Sequence, residues 1–108
     1  MGLIVDTIRM QYLNNLRMDL EYKIQLITQT RSELMTSCDD LMKVGNDYDS
    51  DNPIVKTLNQ RQAKLKLLDQ KLEQQMLQYQ TKLKMVETEY NSCRARVDKN
   101  IQQAFSYQ

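Results

Sequence analysis

The sequence predicts an all-α fold: two long antiparallel helices forming a coiled-coil hairpin, completed by oligomerisation or by a partner. Three observations carry this expectation. The chain has two glycines and one proline in 108 residues, and the proline lies in a single polar stretch, GNDYDSDNP, from Gly45 to Pro53. Punctuation this sparse leaves no room for many strands and loops. Before that stretch Leu13, Leu20, Ile27, Leu34 and Leu41 recur at intervals of seven, the spacing of apolar residues along a coiled-coil seam. Thirteen glutamines and seven methionines accompany abundant leucine, lysine and glutamate, all good helix formers. One phenylalanine and no tryptophan leave no bulky aromatic centre for a globular core.

The chain reads as one domain, residues 1–108, with a helix over about 3–44, a turn over about 45–52 and a second helix over about 53–105. In the first helix the companion row holds Leu16 and Ile24, then Arg31 and Cys38, read as solvated edges or small gaps in the seam. Gly45 is expected to end the helix in the left-handed conformation, with Lys43 complementing the C-terminal end of the dipole. Asn52 and Pro53 suit the N-cap and first position of the next helix.

The alternation of Asp47, Asp49 and Asp51 resembles the opening of an EF-hand calcium loop. Counting from Asp47, the sixth position is Asn52 where a glycine is needed, and the twelfth is Leu58 where a bidentate glutamate is needed. The stretch is therefore read as a turn, with no metal and no cofactor.

The second helix carries Leu68, Leu72, Met76, Tyr79, Leu83, Val86, Tyr90, Cys93, Val97, Ile101 and Ala104, whose ten steps span 36 residues, a mean of 3.6. That period matches a straight helix, with departures from heptad packing expected near Leu72 and Val97. With the bend centred near Asp49, residues whose numbers sum to about 98 should face each other. Leu13 then lies beside Met85 and Leu41 beside Thr57. Arg96 to Gln108 outruns the first helix, and Val97, Ile101, Ala104 and Phe105 are the expected partner contacts. The same register holds Cys38 and Cys93 about 50 Å apart, so both should be free thiols. Leu3, Ile4, Met10, Met18, Tyr22, Leu26, Met35 and Met42 on the first helix, with Leu67, Leu77 and Met85 on the second, offer a second apolar contact face.

The net charge of +1 conceals an asymmetry: residues 1–52 hold nine acids and five bases, net −4, and residues 53–108 hold ten bases and five acids, net +5. Halves of opposite sign suit mutual packing or packing against a copy. The cations Lys56, Arg61, Lys64, Lys66, Lys71, Lys82 and Lys84 are spread around the helix among glutamines and form no single stripe with aromatics. Nucleic acid is accordingly not the expected partner, though it stands as one alternative. The absence of histidine removes the usual general base and the commonest metal ligand. Glycines at positions 2 and 45 alone build no phosphate loop. Acid pairs such as Asp39 with Asp40, or Glu87 with Glu89, read as solvated helix surface, so no enzyme is expected.

There is no run of eighteen apolar residues to cross a membrane. The start MGLIVDTIR is too soon charged for a signal peptide, and Asp6 stands where N-myristoylation wants serine or threonine. A cytoplasmic location is expected, with export that needs no cleavable signal as the alternative.

DSDNP followed by a long helix, and DKNIQQAF from Asp98 to Phe105, resemble the turn and C-terminal helix of type III secretion needle subunits. That resemblance implies a short helical hairpin that polymerises through its C-terminal helix, with Ile101, Ala104 and Phe105 in polymer contacts. The second helix here is longer, and the turn has one proline where the family often has two. The leading expectation is a non-catalytic coiled-coil structural or interaction protein that forms homo-oligomers or docks on a helical protein partner. A secretion-apparatus subunit or secretion chaperone is the runner-up.

Overall fold

The computed structural model describes residues 2–106, which form a helical hairpin of α1 (Leu3–Asn46) and α2 (Pro53–Ser106) with no strand among the described residues. The chain packs as two compact units, each taking one segment from each helix: residues 24–78, and residues 1–23 with 79–108.

In the unit of residues 24–78, α1 runs past its expected end. Gly45 has no positive φ and belongs to the helix, a correction to its assignment as a left-handed cap. The helix is closed instead by short-range bonds, the amides of Asp47 and Tyr48 donating to the carbonyls of Val44 and Gly45 at 3.2 and 3.3 Å. Such bonds three residues back satisfy carbonyls that a regular helix end leaves free. The turn is then held by the Asn52 amide on the Asp49 carbonyl at 3.0 Å. Asn52 Oδ1 accepts from the Ile54 amide at 3.0 Å, capping α2 from the residue before Pro53.

The inward positions of this unit are Ile24, Ile27, Arg31, Leu34, Cys38, Leu41 and Gly45 on α1. On α2 they are Val55, Leu58, Gln62, Leu65, Asp69, Leu72 and Met76. Both series alternate steps of three and four, a period of 3.5. This corrects the 3.6 expected for the second helix, which came from placing Leu68 in the seam. Leu68 is exposed, and Asp69 turns inward in its place. The reason is electrostatic: Arg31 Nε donates to Asp69 Oδ1 at 2.9 Å, so one inward layer is an ion pair, and a search for apolar residues steps over it.

In the other unit Leu13, Leu20, Val86 and Cys93 form the buried cluster, with Met10, Leu16, Tyr79, Leu83 and Tyr90 packed around it. Each fully buried leucine contributes about 1.5–3 kcal/mol. Two expectations fail here. Met85 points away from the core at 68 % exposure, so it is not the neighbour of Leu13; Val86 occupies the inward position. The overhang also starts later than Arg96. Arg96 Nε reaches Asp6 Oδ1 at 3.4 Å and Val97 is buried, because Asp6 meets position 96 and not the position 92 that a sum of 98 assigns to it, so α1 covers α2 further than expected. Met10, assigned to an outer face, packs on the core.

Candidate interaction surface

The polar groups of the hairpin mostly hold it together. In the unit of residues 24–78, the Arg31 guanidinium spans Asp69 and Glu73. The hydrogen bond from Arg31 holds the Asp69 carboxyl below the usual carboxylate range and raises the Arg31 pKa in turn. In the other unit Arg9 Nε donates to Glu89 Oε1 at 3.0 Å, and Asp6, itself buried, takes Arg96. Arg17 lies over the Tyr90 ring, 4.9 Å from its centroid, while its Nη2 donates to Asn14 Oδ1 at 2.7 Å. Arg96 Nη2 also stands 3.0 Å from the Cys93 sulfur. Both cysteines are free thiols, Cys93 buried and Cys38 half-buried.

The expected seam residues fall into two groups. Leu13, Leu20, Ile27 and Val86 are buried. Leu34, Leu41, Leu72, Met76, Tyr79 and Leu83 are half-buried inward positions. Of the four expected partner contacts, Val97 is internal, whereas Ile101, Ala104 and Phe105 are exposed on the last turns of α2. Among the described residues, no three His, Cys, Asp or Glu side chains are grouped so as to hold a metal ion. No helix among them is long and apolar enough to cross a membrane.

What the surface offers is apolar area. Leu3, Ile4, Met18, Tyr22, Leu26, Met35, Met42, Leu67, Leu77 and Met85 are all exposed, as assigned to a second face. Val5, Ile8 and Tyr12 are exposed as well, and sequence reading passed over them. Spacing of three and four residues begun from Ile4 finds Ile8; Val5 and Tyr12, seven residues apart, lie beside that row. In the unit of residues 24–78, Leu34, Met35, Cys38, Met42 and Leu65 line an open groove of about 330 Å³, rimmed by Asp39, Lys66 and Gln70. Apolar side chains rimmed by polar ones are suited to take another helix in a hydrophobic groove.

Compared with known proteins, the chain matches no family model, no curated protein sequence and no solved structure.

Proposed function

We propose that this protein is a non-catalytic interaction protein whose helices pack in coiled-coil fashion and which self-associates. The observation that carries this reading is an imbalance of apolar surface. Among the described residues six hydrophobic side chains are buried, whereas nineteen large ones are exposed. Single exposed apolar residues are ordinary on any surface; a row of them at helical spacing is what a helix keeps for a partner. The alternating steps of three and four along both inward rows support coiled-coil packing. Sedimentation equilibrium tests the reading. The expected result is a mass well above the 12.8 kDa of one chain, rising with concentration. A 12.8 kDa species at every concentration, with helicity intact, refutes self-association.

A second reading, a subunit of a secretion apparatus that polymerises through its C-terminal helix, is favoured by Ile101 and Phe105, exposed beyond Val97. Deleting residues 98–108 should then abolish higher assembly while leaving the hairpin helical. Assembly unchanged by the deletion removes this reading.

A further inference from the structure

In the unit of residues 1–23 and 79–108, the segment of α1 from Leu3 to Met18 carries three charged residues, Asp6, Arg9 and Arg17. All three are engaged with α2: Asp6 with Arg96, Arg9 with Glu89 and Arg17 with the Tyr90 ring; Arg9 also lies over the Tyr12 ring of its own helix, 5.3 Å from the centroid. From Leu3 to Met18 the opposite side of the same helix is therefore neutral, in a chain that is 27 % charged; the first charge beyond it, Asp19, is paired with Lys23 on the same helix. Along that side runs a second heptad row: Ile4, Ile8, Gln11, Asn15, Met18 and Tyr22, in steps of four and three. It lies half a turn from the inward row of Asp6, Leu13 and Leu20. Depletion of charge at the centre of a patch is the compositional mark of an interface.

We infer that this outer row of α1 is the contact through which a second copy of the chain docks, antiparallel and about a two-fold axis near Leu13. The inference rests on the self-association reading and names its surface. Two features select a second copy. The row reads apolar, polar, apolar, and so matches its own reverse, as an isologous contact requires. Antiparallel pairing sets Ile4 against Tyr22 and Ile8 against Met18, a shorter side chain across from a longer one in each layer. It sets Gln11 against Asn15, amides that can hydrogen-bond each other and fix the register as a polar seam residue does. It also opposes the two helix dipoles. The area suffices as well. Ile4, Ile8, Tyr12, Met18 and Tyr22 are between 55 % and 75 % exposed. At about 200 Å² for a large side chain, covering them completely would remove about 600 Å² per copy, or about 1,200 Å² for two, which reaches the lower bound of specific interfaces.

The test compares full-length variants by sedimentation equilibrium, with circular dichroism to confirm that each is helical. Ile8→Lys and, separately, Met18→Lys place a charge in the middle of the proposed contact and should weaken dimerisation by at least about tenfold. Met85→Lys, on an exposed position of α2, should leave it unchanged. Tyr12 flanks the axis, so Tyr12→Cys on a Cys38→Ser background should form a disulfide-linked dimer under mild oxidation. Wild-type association that survives both lysine variants, with no cross-link through position 12, overturns the assignment of this face while leaving self-association standing. A wild-type chain that is monomeric at all concentrations overturns both.

Discussion

Leu20→Ala is the sharpest probe of how the unit of residues 1–23 and 79–108 is held. Leu20 is 2 % exposed and belongs to the cluster of Leu13, Val86 and Cys93. Truncation to alanine removes the transfer energy of the lost carbons and leaves a cavity, together about 2.7–5 kcal/mol in well-enclosed sites. The cluster here is one layer deep and its outer members, Met10, Leu16, Tyr79, Leu83 and Tyr90, are only partly buried, so neighbours can relax into the gap. The lower end, about 3 kcal/mol, is expected. For a domain of this size that corresponds to a fall in melting midpoint of about 12–24 °C, read by circular dichroism at fixed protein concentration. Met85→Ala provides the scale, because an exposed side chain should cost less than about 0.5 kcal/mol. Equal midpoints for the two variants would refute a core centred on Leu20.

Gly45→Ala should stabilise the protein by about 0.5–1 kcal/mol in urea unfolding, since a helical glycine gains by acquiring a Cβ. That Cβ would meet Leu58 Cδ1 at 3.9 Å, an ordinary contact, and loss of stability would instead restore a left-handed Gly45. The lowered Asp69 pKa has a direction on the pH axis. Its contribution is present above the ordinary carboxylate value near pH 4 and is lost as pH falls through the depressed value. The wild type should therefore lose more stability than Asp69→Asn on acidification from about pH 5 to about pH 2; parallel losses would show that the Arg31 pair is not formed in solution.

The fold class was legible because two independent signals agree: a single punctuated stretch, and five apolar residues spaced by seven. The Asn52–Pro53 start was legible for a local reason, since an N-cap is written in one side chain and its neighbour. The inward row of α2 was misread near Leu68, and the cause is general. Apolar periodicity detects a seam only where every layer is apolar, and Asp69 is inward because of Arg31, 38 residues earlier. Gly45 misled differently: a glycine at the end of an apolar run signals a left-handed cap only if the chain must reverse there, and here the helix continues to Asn46. The outer row from Ile4 to Tyr22 shares its helix with the inward row half a turn away. Ranking residues by hydrophobicity alone mixes the two, whereas the placement of Asp6, Arg9 and Arg17 against α2 separates them.

The pairing of Asp6 with Arg96 and of Arg9 with Glu89 discriminates against the commonest error open to a heptad hairpin. Because inward positions repeat every seven residues, α1 can slide by one heptad along α2 and still bury apolar side chains. A slide that brings Asp6 to Glu89 also brings Arg9 to Lys82, acid against acid and base against base. The opposite slide sets Arg9 against Arg96 and leaves the buried Asp6 facing Gln103, without a cation. The native alignment is the one of the three in which both signs match. The Arg9–Glu89 pair, exposed enough to add little to the depth of the native well, acts with the buried Asp6 and its Arg96 partner to raise the neighbouring wells. A chain caught seven residues out of step is thereby pushed back toward the alignment in which Leu13 and Leu20 meet Val86 and Cys93.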